Sequence, residues 1–507
     1  MSQPSENSLI AGQPAPSVWS SLLDAINNRE YETALDLLGG IPASLEPPIE
    51  HVHSGLYKAA LLSGNIHIYK RVCEVINNSY LLNPLYFEAL VRSNEYRAIQ
   101  LLAKLYPDAV YKLANSDSPP IHIAAQASSA EAFEILLPFT TKETALRPSS
   151  NNISLLTEAT LKGPDCIVEM LTEQPFISDL IRSARTEDHP CTPLHNAAHN
   201  CSYPTLIKLC DAYTALGSIC DLPAQHGHTI LTVAIYSGDK PKAQQLIEHL
   251  GPNHILLTKP DSNGHTPLHW AAIHGLDDVI TTLYPIYSAQ GLVLARTVEN
   301  GHTFFNYLVH FDRVSIIRQL LERDDFDPKL VSEPDNSNQM PIVYALDEEH
   351  VETCELLYPI NVKTGSIART HKKGQNILMT AIGLELLWAV QLLTSEPAVC
   401  GELMVGDKNG RTPLHWAIGA DTPEICELVY ERSTVEQVCV RDKHRGWTIL
   451  HMAIMYRSLD TVKILLRDHG KARAMMAVKD ADGLTAMDYA RMRSSKIVAM
   501  LEAVTDA

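Results

Sequence analysis

The chain has 507 residues, of which 45% are hydrophobic and 20% charged, a composition that suits a folded globular protein and excludes a disordered or fibrous one. Its 41 basic and 59 acidic residues leave a net charge of −18, a field that repels phosphate backbones and anionic lipid, so nucleic acid is not an expected partner. Ten cysteines with no C-x-x-C pair argue against a disulfide scaffold and a zinc ribbon and leave reduced, mostly buried thiols as the expectation.

In chain order, residues 1–18 are rich in Ser, Pro, Gln and Asn and predict a disordered tail. They contain no basic n-region and no apolar h-region, so no classical secretory signal is expected. The longest apolar stretches, such as Ile382 to Leu393, are interrupted by Glu385 and Gln391 and fall short of the roughly 20 residues of a membrane span. A cytoplasmic protein without a membrane span is the expectation. Residues 19–118 keep a helix-pair rhythm: Leu22, Leu23 and Ile26 with Ala34, Leu37 and Leu38, a second unit starting near Ser54, and a third near Asn83. They read as an N-terminal cap of degenerate units.

From residue 119 to 505 one phrase recurs. Thr266, Pro267, Leu268, His269, Trp270, Ala271, Ala272 returns as Thr412, Pro413, Leu414, His415, Trp416, Ala417, Ile418, and as Thr192, Pro193, Leu194, His195, Asn196, Ala197, Ala198. Weaker copies start at Pro119, Ser154, Thr229, Thr303, Met340, Asn376, Thr448 and Thr485, so that successive starts lie 35 to 38 residues apart. The Thr or Ser hydroxyl can cap a helix, and Pro at the first helical position lacks only an N–H that would be unpaired anyway. Leu268, Ala271 and Ala272 follow at helical spacing, and small residues let neighbouring helices approach closely. A Gly such as Gly238 or Gly275 then turns the chain into a second helix bearing pairs like Ile316–Ile317 and Leu320–Leu321. Asn263–Gly264, Asn300–Gly301, Asn409–Gly410 and Asp482–Gly483 precede the next start and signal a tight reversal.

This pattern resembles the ankyrin repeat, whose T-P-L-H-x-A signature is matched residue by residue at Thr266 to Ala271 and Thr412 to Ala417. The resemblance implies an all-α ankyrin-repeat solenoid, here of about fourteen helix-turn-helix units with finger-like hairpin loops. The period departs from the family's usual 33 residues by about four. Those extra residues fall between the second helix and the finger, in stretches such as Leu403, Met404, Val405 or Met475, Met476, Val478, and predict one added turn plugged against the neighbouring unit.

The signature positions hold His122, His195, His269, His415 and His451. The resemblance implies that these imidazoles bond to the backbone of neighbouring turns, and their recurrence once per unit argues against catalysis. A denser cluster, His189, Cys191, His195, His199, Cys201, Cys210 and Cys220, has a structural reading, a zinc reading and a Cys–His nucleophile reading. No phosphate loop, dinucleotide fingerprint, zinc-protease or nucleophile-elbow motif is present. The expectation is therefore no catalytic residue, no metal and no cofactor.

Binding is the better-supported class. The resemblance implies a concave face built from finger tips and from the exposed end of each first helix, and the residues placed there are His228, Tyr236, His265, His274, His302, His310, Phe311, Arg411, Trp447 and Tyr456. Aromatic and His side chains on a rigid concave surface suit an interface, while Gly-His-Thr also reads as ordinary finger wording. The row Trp270, Tyr307, Tyr344, Trp416 and Tyr489 reads as core between units. Residues 322–355 hold eleven acidic side chains against Arg323 and Lys329, a solvated face or a dock for a basic partner. The functional expectation is a monomeric scaffold or adaptor that binds a protein partner. Long degenerate arrays of this kind also resemble effectors that intracellular bacteria deliver into a host cell cytoplasm. The competing expectation is an enzyme, a transferase or cysteine hydrolase, with its site hidden in the N-terminal hundred residues or around 189–220.

Overall fold

The computed structural model describes residues 16–40, 59–60, 62–63, 65–75, 84–115, 119–149, 151–184, 192–216, 225–370, 374–395, 399, 401, 404–420, 422–456 and 458–506. The predicted disordered tail lies almost wholly outside the described residues, as do the start near Ser54, Asn83, His189, Cys191, Cys220 and Leu403. Among the described residues the chain is helical, and its one extended pairing is an antiparallel bridge between Lys479 and Thr485. Two compact units divide the chain, Met1–Val233 and Ala234–Ala507.

The repeat that starts at Thr266 shows how the phrase becomes structure. Thr266 is extended and caps the helix Pro267–His274, with Pro267 at its first position. Leu268, Ala271 and Ala272 are buried on one side. Gly275, left-handed at φ 65°, ends the helix, and Asp277–Ala289 runs back as the second helix with Val279, Ile280, Leu283 and Tyr284 buried. Elsewhere the same left-handed corner is made by Asp312, Glu349 and Glu385 at φ 49°, 60° and 58°, without glycine.

Within the C-terminal unit like packs on like. First helices form one layer, Pro267–His274 against Phe304–His310 against Pro341–Asp347, and second helices form another, Lys240–Leu250 against Asp277–Ala289. The N-terminal unit repeats this with Pro120–Gln126, Leu155–Lys162 and Pro193–Asn200 as first helices and Ala130–Leu136, Asp165–Thr172 and Tyr203–Thr214 as second helices. Upstream in that unit, Pro16–Asn27 pairs with Tyr31–Gly39, and Pro84–Arg92 with Tyr96–Leu105.

The added turn is present. A third short helical piece follows many second helices: Ile255–Leu257, Lys329–Ser332, Ser366–Ala368, Val435–Val438 and His469–Ala477. Its apolar residues Leu256, Leu257, Leu330, Val331, Ile367, Val438 and Met475 are buried. The plug is narrower than the sequence pattern suggested, because Met404 is buried while its neighbour Val405 is 50% exposed.

Candidate protein-binding face

The signature imidazole is a structural connector. In the repeat starting at Thr266, His269 Nε2 lies 3.2 Å from the carbonyl oxygen of His302, one repeat onward. A carbonyl can only accept, so Nε2 carries the proton and Nδ1 is left to accept from the Thr266 N–H at 3.2 Å and its hydroxyl at 2.8 Å. One ring thus closes its own helix cap and ties its unit to the next finger. His415 does the same with Thr412 and the Trp447 carbonyl, and His451 with Thr448 and the Leu484 carbonyl. His195 joins Thr192 to the His228 carbonyl. Burial lowers the pKa of His269 and His195 to about 4 and also lowers those of His415 and His451, so these rings are neutral.

His122 departs from the pattern. Its Nδ1 lies 2.6 Å from Glu158 Oε2, and its buried Nε2 has no hydrogen-bond partner among the described residues. The next repeat supplies a carboxylate at the position that Trp270 holds in its own repeat, and Gln126 Nε2 donates to the other oxygen of Glu158.

The fingers rest on buried aspartates whose role the sequence reading did not assign. Asp261 Oδ1 accepts the N–H groups of Asn263 and His265, both at 2.9 Å. Asp335, Asp407, Asp442 and Asp480 hold their own fingers in the same way. An aspartate five or six residues before the next helix start would have been the signal. Their second oxygens reach the aromatic row: Trp270 Nε1 donates to Asp261 at 3.1 Å, and Tyr489 OH to Asp480 at 2.7 Å. Burial pushes the Asp335 carboxyl up, but the donors His302, Tyr344, Gln339 and Ser337 outweigh it and hold the group below the usual range.

On this frame the ten nominated residues take different places. His228 belongs to the N-terminal unit, half-buried, with its carbonyl held by His195. The other nine belong to the C-terminal unit. His265 and His302 are half-buried links between repeats: His265 Nε2 lies 3.0 Å from Tyr307 OH, and His302 Nε2 lies 3.1 Å from Tyr344 OH and 3.3 Å from Asp335 Oδ2. Trp447 Nε1 donates to Tyr489 OH at 3.3 Å, and the Arg445 guanidinium covers its ring at 4.6 Å. Tyr236 and Tyr456 are 55% and 59% exposed, and His310, Phe311 and Arg411 are also exposed.

The geometry gathers four of these residues, Tyr236, His265, His274 and His302, with Trp270, Tyr307 and Tyr344 into one row of seven rings. Tyr236 packs edge-on to Trp270 and His274 at 5.7 and 5.2 Å, and His274 stacks on Trp270 at 6.0 Å. Trp270 continues to His265 at 5.2 Å, His265 to Tyr307 at 5.9 Å, Tyr307 to His302 at 5.5 Å, and His302 to Tyr344 at 5.4 Å. The aromatic row expected to be core is therefore half-buried and forms the back of a ring-lined face. His310 and Phe311 form a separate exposed pair at 5.0 Å.

The acidic segment is weaker than its composition suggested. Asp335 is buried, Asp325 pairs with Arg323, and Glu333 and Glu352 are met by Arg296 and Arg318 from outside the segment. Exposed carboxylates remain at Glu322, Asp324, Asp347, Glu348, Glu349 and Glu355.

The His/Cys-rich stretch does not assemble in its described part. Buried Cys210 has its thiol pushed up to about 12 by desolvation, the opposite of an activated nucleophile. His195 is committed to its cap, and His199 is exposed beside Asn200 Oδ1 at 3.0 Å. Among the described residues no group of three His, Cys, Asp or Glu side chains could hold a metal ion, and no helix is long and apolar enough to cross a membrane.

The profile of the ankyrin repeats family matches residues 194–292 and 433–504 in three copies. The chain is 26% identical over 232 residues to the ankyrin repeat protein nuc-2 of Neurospora crassa, covering 45% of this chain and 20% of that protein. It is 24% identical over 212 residues to the human transient receptor potential cation channel subfamily A member 1, covering 41% and 18%. With the inhibitor of Bruton tyrosine kinase of Xenopus laevis it shares 30% identity over 89 residues, covering 18% and 6%. The matched stretches thus span a fifth or less of these relatives' own lengths. Among solved structures, the ankyrin repeat domain of Bcl-3 is similar with a TM-score of 0.39 and 19% identity, covering 48% of this chain and 99% of that one. The recurring phrase, the helix pairs capped by it and the matching family profile together identify residues 194–292 and 433–504 as ankyrin repeats.

Proposed function

We propose that the protein is a non-catalytic scaffold or adaptor that captures a partner protein on the ring-lined face of its C-terminal unit. The observation that carries this reading is the unbroken row from Tyr236 through His274, Trp270, His265, Tyr307 and His302 to Tyr344. Rings held rigid by packing and hydrogen bonds bury contact area with little loss of side-chain freedom, which is how interface hot spots act. Tyr236, His274, His310 and Phe311 are the direct contacts, and His265 and His302 hold the row in place. Asp347 and Glu348, exposed just beyond the row, suit a partner with a basic patch. The chain acts as a monomer in the cytoplasm, and no cofactor is needed. The effector role rests on the resemblance alone.

The test is capture by the full chain in cells through proximity labelling, with Tyr236→Ala, His274→Ala and Phe311→Ala combined. These side chains are not buried links, so folding should be kept while labelling of the specific partner falls at least about tenfold, the size of a hot-spot loss. Undiminished labelling would place the binding site elsewhere.

A further inference from the structure

Resting on this protein-binding reading, we infer a second anchoring site in the C-terminal unit: a cleft that takes one large apolar side chain from an acidic, extended segment of a protein partner. The cleft arises from two glycines. At the eighth position of each repeat counted from its start, the repeats beginning at Thr229, Thr266, Thr303 and Met340 carry Tyr236, Ile273, His310 and Asp347. The next two repeats carry Gly383 and Gly419 there. Both end helices, and neither has a positive φ, so no left-handed cap requires glycine at either place. What the missing side chains leave is space.

That space is a cleft of about 240 Å³ lined by Trp416, Met452, Tyr456, Ile382, Ala420 and Arg411 among others. Among the described residues, a Cβ on Gly419 would touch nothing within 4 Å, and one on Gly383 would meet only the Trp416 ring at 3.6 Å. An indole, a thioether and a phenol around a hole of side-chain size suit an aromatic or long aliphatic anchor.

The charge beside the cleft selects the rest of the segment. The two adjoining fingers expose Lys408, Arg411, Arg441, Lys443 and Arg445. Their own carboxylates, Asp407 and Asp442, are buried with Oδ1 turned onto finger N–H groups. The fingers lie together, with Lys443 N–H donating to the Asn409 carbonyl at 2.8 Å. Arg411, which belongs to both finger and cleft, makes no side-chain hydrogen bond or ion pair among the described residues. Glu385 also lines the cleft, so the ligand's carboxylates belong on the finger side beside Arg411. A basic edge next to an apolar socket, on a chain of net charge −18, fits an acidic peptide better than a polyanion without apolar anchors.

The experiment pans a random peptide library on the full chain and measures the selected peptides by fluorescence anisotropy. The expected winners carry one Phe, Tyr, Trp or Leu flanked by Asp or Glu. Gly419→Leu, whose Cβ meets no described atom within 4 Å, should fill the cleft and weaken them at least about tenfold with the melting temperature unchanged. Arg411→Glu with Lys443→Glu should weaken them similarly and flatten their salt dependence. Winners without such an anchor, full binding to the Gly419→Leu chain, no winners at all, or a labelled single-stranded oligonucleotide that displaces them would each overturn the cleft assignment. Peptides that bind the Gly419→Leu chain undiminished but are lost with Tyr236→Ala and His274→Ala would overturn it while leaving the wider protein-binding reading intact.

Discussion

A single imidazole illustrates how one residue serves two structural levels. His269 accepts from Thr266 within its own helix cap and donates to the His302 carbonyl across the repeat boundary. Replacing it with Ala strands a buried N–H and a buried carbonyl, each costing about 1–3 kcal/mol. His269→Ala should therefore destabilise the C-terminal unit by roughly 3 kcal/mol in denaturant unfolding, and His269→Gln, which can both accept and donate, by less. Protonation makes the same cut. Burial holds His269 and His195 at about 4 against an ordinary 6.5, so between those values the unfolded chain takes up protons that the folded chain refuses. The stability these rings contribute is complete above pH 6.5 and lost as pH falls toward 4, by up to about 3 kcal/mol per ring. Asp335 and Asp480, held below the usual carboxylate range, add a further loss at lower pH. Melting temperatures at pH 7 and 5 should differ more for the wild type than for His269→Gln; equal differences would show that the ring is not held neutral by burial.

At the scale of the element, helix starts were readable because caps are local chemistry: a hydroxyl, a proline and a polar ring within four residues fix the first turn. The finger reversal was equally local, and Gly264 sits at φ 81° as the Asn–Gly pair implied. What surrounds that glycine was not readable, since a Cβ there would lie 2.9 Å from the Arg296 carbonyl and 3.1 Å from the Val298 nitrogen, both one repeat away. Gly264→Ala adds about 1–2 kcal/mol of backbone strain to that clash, and should lower the melting temperature by several degrees. Gly419→Ala, in open space on a helix, should be neutral or mildly stabilising. A reversed order of these two would place the finger contacts wrongly. The buried aspartates were present in the sequence at a fixed offset, yet an Asp before a turn is ordinary, and only the inward Oδ1 geometry distinguishes it.

Within each compact unit, each layer of described helices is held by the layers beside it, so stability is shared between neighbours. Leu268, fully packed in the first-helix layer, should cost about 2–5 kcal/mol when cut to Ala. Amide exchange should then quicken through the repeats that begin at Thr229, Thr266 and Thr303 and stay unchanged in Pro84–Thr172 of the other unit. Uniform quickening would mean that the chain unfolds as one cooperative body. The same logic bears on charge. The acidic count over 322–355 omitted Arg296 and Arg318, which lie outside that segment in sequence and against it in space.

The sequence by itself determined the repeat, its period, the caps, the reversals and the existence of a plugged extra turn, because each is written in contacts among residues close along the chain. Only the tertiary structure decided which rings became links and which stayed on the surface. His265 and His302 share one finger slot with Arg411, yet the two imidazoles bond to tyrosines 42 residues onward while Arg411 stays exposed. The physical reason is that a side chain's exposure is set by the neighbour one layer away, whose identity varies from repeat to repeat even where the repeating phrase does not.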